Sequence, residues 1–274
     1  MNLRFALNHM VAPQLDLRSF FMLARDVGVT DVEIRNDIAG QAIIDGTSAA
    51  TVKAMAEDAG VTILTINALQ KFNRWDRERE AEAAALARYA KDCGAKALIL
   101  VPVNDGTGRG DGERQENLRF ALKGLRPILK DNGITGLVEA LGFEICSMRL
   151  KRDGAEAIAA IDGYGTFELT HDTFHHHLAG DPEIFPSLTG LVHISGVVDP
   201  ALATSEMRDA HRVLVDGRDR LGNLEQIAAL VAEGYNGPLS FEPFAEELRR
   251  LPDPAQAIRE SMDFISTRLA DRAA

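Results

Sequence analysis

Short apolar runs alternate along the chain with longer segments in which apolar residues recur every three or four positions. The short runs predict buried strands, and the longer segments predict amphipathic helices. Strands are predicted at residues 3–7, 29–34, 61–66, 97–101, 136–140, 167–170, 191–194 and 238–241. Helices are predicted at residues 15–27, 47–59, 77–93, 113–130, 155–161, 223–234 and 254–268, with a short segment at residues 182–185.

Strands that alternate with helices imply a parallel sheet with right-handed crossovers. Eight such units in 274 residues favour a closed barrel, which typically needs about 250 residues. The GxGxxG motif that is typical of an open dinucleotide-binding sheet does not follow the first strand, which argues against that fold. The sequence also contains no recognisable linker. The predicted fold class is therefore α/β, a single-domain (β/α)8 TIM barrel over residues 1–274.

Four predicted strands end in a polar side chain where an apolar one would be expected. These side chains belong to Glu139, Asp172, His193 and Glu242, at the ends of strands five to eight. A buried carboxylate must be paired, hydrogen-bonded or bound to a metal, and the C-terminal strand ends of a barrel meet on one catalytic face. A surface carboxylate or salt bridge is the alternative for any one of them. The four together predict one divalent metal ion, with Mn²⁺, Mg²⁺, Co²⁺ and Zn²⁺ all compatible.

The overall composition is that of a soluble globular protein, with 46% hydrophobic and 26% charged residues. A formal net charge of −11 argues against a nucleic-acid or anionic-membrane surface. No signal peptide or transmembrane run is recognisable. Cys93 and Cys146 lie in unrelated contexts, which indicates reduced thiols. We therefore expect a cytoplasmic protein with no nucleic-acid or membrane partner, and a homodimer is the default assembly.

Several short segments resemble the xylose isomerase-like superfamily of TIM-barrel sugar isomerases and epimerases. The segments are VE at 138–139, HDTFH at 171–175, VHI at 192–194 and SFEP at 240–243. Within that superfamily the chain resembles the 2-keto-myo-inositol isomerases. The closer similarity is carried by DTFH at 172–175, RV at 212–213 and GYNGPLSFE at 234–242.

The resemblance implies one divalent metal held by Glu139, Asp172, His193 and Glu242, with both glutamates also acting as acid/base groups. It implies an isomerase or epimerase of inositol or other carbohydrate metabolism. The reaction would transfer a proton through a metal-bound enediolate of a sugar or cyclitol ketone, such as 2-keto-myo-inositol.

The resemblance also implies substrate contacts. It makes His175 a substrate-contacting histidine and Arg212 a cation near the substrate oxygens. Asn8 and Asn67 are strand-end candidates for the same pocket, with local hydrogen bonding as the alternative, and the same holds for Glu33. The chain departs from many relatives where an acid often follows the strand-seven histidine, because it has Ser195-Gly196 there.

Three other functions are weighed against this one. A metal-dependent dehydratase of the inosose or dehydroshikimate type would share the barrel and the proton abstraction. A phosphodiesterase of the endonuclease IV type would need several more histidines at strand ends and a basic groove. A non-catalytic sugar-binding barrel would not require the complete ligand set.

Overall fold

The structure of the chain is a computed structural model that describes residues 3–41, 43 and 45–273. Eight parallel strands follow one another around a closed barrel, and the last pairs with the first. This confirms the predicted TIM-barrel fold. The strands are β1 Arg4–Asn8, β2 Asp31–Arg35, β3 Thr62–Gln70, β4 Ala97–Val101, β5 Thr135–Glu139, β6 Phe167–Asp172, β7 Thr189–Ile194 and β8 Pro238–Phe241.

A helix follows each strand and packs on the outside of the barrel. The helices are α1 Leu17–Asp26, α2 Ala49–Ala59, α3 Arg77–Cys93, α4 Glu113–Asn132, α5 Lys151–Ala160, α6 Thr173–Ala179, α7 Asn223–Ala232 and α8 Pro254–Ala273. Short 3-10 helices occur at His9–Val11, Pro186–Leu188, Thr204–Glu206, Asp209–His211 and Glu246–Arg250. Within the described part of the chain, none of the helices is both long and apolar enough to cross a membrane.

Local sequence signals fix where α2 and α3 begin and end. Ser48 caps α2 by accepting a hydrogen bond from the amide of Thr51, and Asp76 caps α3 in the same way. Gly60 and Gly94 end these helices in the left-handed conformation, which glycine adopts without steric cost. The sequence predicts both ends of α3 and the end of α2 correctly, whereas α2 begins two residues later than predicted.

The interior of the barrel changes character along its axis. Its lower part carries an apolar group that includes Ala97, Leu137 and Leu191. The upper part, towards the C-terminal strand ends, is lined by buried polar side chains. A second and larger apolar core lies between the strands and the surrounding helices. The apolar layers hold the strand ends in place, so that the polar side chains above them occupy fixed positions.

Several elements differ from the sequence-based predictions. Helix α6 at Thr173–Ala179 was not predicted, and residues 182–185 are neither helix nor strand. Three consecutive histidines break the apolar spacing that would have revealed α6, and its cap is Asp172, which also ends β6. Helix α5 begins at Lys151 rather than at residue 155, and β3 continues to Gln70 rather than ending at residue 66.

Substituting Gly124 by alanine should destabilise the fold. A Cβ atom at this position of α4 would lie 2.4 Å from the ring of Trp75, so the ring would have to move. Overpacking of this kind costs about 1–3 kcal/mol, which exceeds or offsets the advantage of about 1 kcal/mol that alanine has in a helix. Urea unfolding followed by the fluorescence of Trp75, the single tryptophan, measures the effect.

The matched control for that substitution is Lys123→Ala, at an exposed position of the same helix. We expect its unfolding midpoint and emission spectrum to match those of the parent chain. A Gly124→Ala variant with unchanged emission and undiminished stability would show that Trp75 does not pack closely on α4.

Candidate metal centre and active site

The four side chains predicted as metal ligands converge at the C-terminal end of the barrel. Glu139 and Asp172 are the last residues of β5 and β6, His193 is the penultimate residue of β7, and Glu242 directly follows β8. One potential ligand atom from each lies within 4.8 Å of the other three. All four residues are buried, with at most 4% of their surface exposed. The barrel therefore assembles a compact O₃N donor set from four adjacent strand ends.

The imidazole of His193 presents a different nitrogen to each side of the site. Its Nδ1 atom lies 2.8 Å from Glu139 Oε1, 3.3 Å from Glu242 Oε2 and 3.9 Å from Asp172 Oδ2. Burial disfavours a charged imidazole, but the negative charges of Glu242, Glu33 and Glu139 outweigh it and raise the pKa of His193 well above its ordinary value. The same negative environment would attract a metal cation to Nδ1.

Glu33, at β2, contacts the opposite nitrogen of that imidazole. His193 Nε2 lies 3.2 Å from both carboxylate oxygens of Glu33. Thr65 and Asn67 donate hydrogen bonds of 2.6 and 2.8 Å to Glu33 Oε2, and Ser240 donates to Oε1. Burial alone would raise the pKa of Glu33, but His193 and these donors lower it to about 2. An ionised Glu33 favours a proton on Nε2 and leaves Nδ1 directed at the other carboxylates.

A Glu33→Gln substitution should weaken metal binding by about 10–100-fold, the usual effect of losing the partner that orients a metal-bound histidine. The amide has the same shape but carries no charge, and its NH₂ group opposes the donors around it. Titration with Zn²⁺ against a competing chelator measures the affinity. Glu168→Gln, at the other end of β6, is the matched control and should bind Zn²⁺ normally. Equal affinities in both variants would contradict an orienting role for Glu33.

Two buried arginines hold the carboxylate of Glu242 from opposite sides. Arg35 donates from Nη1 to Oε1 at 2.8 Å, and Arg212 donates from Nη2 to Oε2 at 3.0 Å. The ring of Phe244 lies close to both guanidinium groups, 5.2 Å from Arg35 Cζ and 4.7 Å from Arg212 Cζ. Burial raises the pKa of Glu242 to about 7, although His193 and Arg212 oppose the shift. The two hydrogen bonds therefore fix the orientation of the Glu242 carboxylate.

Arg212 also contacts a second member of the donor set. Its Nη2 donates to Asp172 Oδ2 at 2.7 Å, and its Nε donates to Ser195 Oγ at 2.9 Å. Arg212 is 1% exposed, so its charge is buried among these partners. Ser195 therefore anchors the arginine. Arg35 was not a predicted site residue, because an arginine is not a metal ligand and the sequence does not reveal its contact with Glu242.

The remaining predicted residues also lie at this end of the barrel. His175, in α6, is 5% exposed, and its backbone amide donates to Asp172 Oδ1 at 3.1 Å. Asn8 Nδ2 lies 3.4 Å from Glu33 and 3.3 Å from Glu242, while Asn67 donates to Glu33. Both asparagines thus contact carboxylates of the site, and their part in substrate binding stays a prediction.

The buried charges of the site fit a divalent cation. The site buries the carboxylates of Glu33, Glu139, Asp172 and Glu242 together with the guanidinium groups of Arg35 and Arg212. With all four carboxylates ionised and His193 neutral, as metal binding requires, two negative charges remain. Buried charges that lack counter-charges are strongly unfavourable. A divalent ion among Glu139, Asp172, His193 and Glu242 would remove that imbalance, so both the donor chemistry and the charge fit such a metal.

A cavity of about 610 Å³ lies near the site, and none of the four donor residues belongs to its lining. Its apolar lining includes Phe143, Leu178 and Met207. Asp209 also lines the cavity and accepts a hydrogen bond from Arg212. Phe143 also packs edge-on against the imidazole of His175, with 5.2 Å between ring centres. The volume lies in the range of small-molecule binding sites.

The family model described as the xylose isomerase-like TIM barrel matches residues 21–268. A xylose isomerase domain-containing protein of Salmonella typhimurium LT2 is 33% identical, with 98% of this chain and 99% of that chain covered at a TM-score of 0.89. Comparison with curated proteins finds no significant match.

Other solved structures share the fold at lower identity. A structure of the IolI protein with a bound zinc atom is 19% identical, covers 97% of this chain and 99% of its own, and has a TM-score of 0.87. A D-psicose 3-epimerase of Clostridium cellulolyticum H10, solved with D-tagatose, is 17% identical over 97% and 99% of the two chains, with a TM-score of 0.72. From its family match and its strand-end site, the chain belongs to the xylose isomerase-like TIM-barrel family.

Proposed function

We propose that the chain is a divalent-metal-dependent isomerase or epimerase that moves a proton beside the carbonyl of a sugar or cyclitol ketone. The observation that carries this proposal is the convergence of Glu139, Asp172, His193 and Glu242 in one buried cluster. These four residues would hold the metal through three carboxylates and one imidazole. A bound divalent ion would polarise a ketone and make the neighbouring proton more acidic.

Glu139 and Glu242 are the proposed acid/base pair. They approach from β5 and β8, which two other strands separate, so their carboxylates can reach a substrate from different sides. One glutamate removes the proton, and the other delivers a proton to the adjacent carbon. Each well-positioned group of this kind contributes roughly 10²–10⁴-fold in rate. The hydrogen bonds from Arg35 and Arg212 would keep Glu242 aimed at the substrate.

The proposed substrate is an uncharged polyol ketone. With a divalent ion present, the buried charges of the site are balanced, and both buried arginines already face carboxylates. Neither feature provides spare positive charge for a phosphate. Arg212 would steady negative charge that develops on a substrate oxygen, and His175 would contact a hydroxyl group. The resemblance to 2-keto-myo-inositol isomerases makes an inosose the first candidate and inositol catabolism the proposed setting.

Incubation in D₂O tests the proposed reaction. The protein, loaded in turn with Mn²⁺, Co²⁺ and Zn²⁺, is mixed with 2-keto-myo-inositol or with a panel of ketohexoses. We expect NMR to show deuterium at a carbon next to the carbonyl and an isomeric product. Formation of an enone chromophore would instead indicate a dehydratase. The absence of exchange and product with every metal would overturn the proposal.

A further inference from the structure

A buried ion pair lies behind the candidate active site. Lys151, the first residue of α5, has its Nζ atom 2.8 Å from Asp181 Oδ2, and their side chains are only 4% and 2% exposed. The same Nζ lies 2.6 Å from Nδ1 of His176. An ammonium group has three N–H donors. Asp181 and His176 receive two of them, so one donor is free for another acceptor.

A small cavity borders this ammonium group and the active site. It has a volume of about 10 Å³, and its lining includes Lys151, Thr170, Asp172 and His175. That volume accommodates about one water molecule. Two polar atoms of the lining residues, Thr170 Oγ1 and His175 Nδ1, are buried without a hydrogen-bond partner among the described residues. A buried water normally has two to four polar partners, and three are available here.

We propose that this cavity binds a single water molecule that links Lys151 to the imidazole of His175. The water accepts a hydrogen bond from Lys151 Nζ and donates to His175 Nδ1 and Thr170 Oγ1. His175 Nδ1 is then an acceptor, so the ring proton is on Nε2. Lys151 is thereby a positioning residue, since it sets the tautomer of His175 without touching the substrate.

The effect of this water on catalysis rests on the proposed function, whereas the water site itself does not. If His175 contacts the substrate, a fixed proton on Nε2 lets the ring donate to a substrate oxygen in every molecule. Without the water, the ring proton can occupy either nitrogen, and some molecules present an acceptor instead. The binding of the water itself depends only on the cavity and its three polar partners.

Two measurements on the zinc-loaded protein without substrate test the water site. A high-resolution crystal structure should show one ordered water about 3 Å from Lys151 Nζ, His175 Nδ1 and Thr170 Oγ1. Histidine-ring ¹⁵N NMR, with His175 assigned from a His175→Gln variant, should show the proton of His175 on Nε2 alone. A dry cavity, or a proton on Nδ1, would overturn the proposal.

Variants of Thr170, Lys151 and Asp181 test whether these residues position the ring of His175 through the water or only fill space. Thr170→Val removes one partner of the water at nearly constant volume, and Thr170→Ser keeps the hydroxyl as its matched control. Lys151→Met combined with Asp181→Asn removes the ammonium group without leaving a buried carboxylate alone. We expect mixed tautomers of His175 in the double variant, a smaller shift in Thr170→Val, and the parent spectrum in Thr170→Ser.

The kinetic readout follows from the same variants. With any ketone that the parent turns over, the double variant should lose roughly twofold in kcat, because about half of its molecules then carry the ring proton on Nδ1 and present an acceptor to the substrate. Unchanged tautomers in both the double variant and Thr170→Val would overturn the positioning role. Shifted tautomers together with an absence of turnover in the parent would leave the water site standing and reject the proposed function instead.

Discussion

Replacing Glu139 and Glu242 together by alanine is expected to reduce the bound divalent metal from one ion per chain to none. The double variant leaves only Asp172 and His193 as ligands, too few for the donor sets in which proteins hold such ions. Elemental analysis of both proteins, after reconstitution with Mn²⁺, Co²⁺ and Zn²⁺ and removal of excess ion, measures the difference. Unfolding gives a second readout, because a ligand of the native state stabilises it.

The matched control carries Glu168→Ala and Glu233→Ala, which remove the same charge outside the cluster. We expect it to bind one ion and to gain thermal stability when metal is added. Equal metal content in the two double variants would place the binding site elsewhere. Absence of metal from the parent chain after every reconstitution would remove the metal from the proposed function altogether.

Glu242→Gln is expected to reduce turnover by roughly 10²–10⁴-fold at saturating metal, the contribution of one well-placed acid/base group. The amide keeps the shape of the side chain but cannot accept the substrate proton. Glu139→Gln should have an effect of similar size. Deuterium exchange measured by NMR gives the rate, and metal content determined on the same samples separates lost chemistry from lost metal. Near-normal turnover in both variants with metal bound would refute the assigned acid/base roles.

The convergence of Glu139, Asp172, His193 and Glu242 could be predicted from the sequence because parallel strands of a barrel all end on the same face. Polar residues at the ends of successive apolar runs can therefore be expected to lie close together, even when the connecting loops are unknown. Asp172 and His193 illustrate this, since they are paired across adjacent strands β6 and β7. The same reasoning predicts the fold itself, because eight alternating units leave few other topologies.

The positions of Arg35 and Glu33 relative to the donors could not be predicted in this way. Arg35 contacts Glu242 across 207 positions of the chain, and Glu33 contacts His193 across 160. These contacts depend on how the barrel closes and on which way each side chain turns at its strand end. Helix α6 was missed for a different reason, because Asp172 ends a strand and caps a helix at once.

Because Asp172 both caps α6 and faces the site, two separate constraints act on this residue in evolution. One oxygen, Oδ1, accepts hydrogen bonds from the amides of Phe174 and His175, while Oδ2 faces the site. Selection for a stable helix start would therefore preserve this aspartate in a descendant that had abandoned the chemistry. Glu139 has no comparable capping contact and would be free to drift. In comparing homologues, a retained glutamate at position 139 would thus be the better sign of a surviving enzyme.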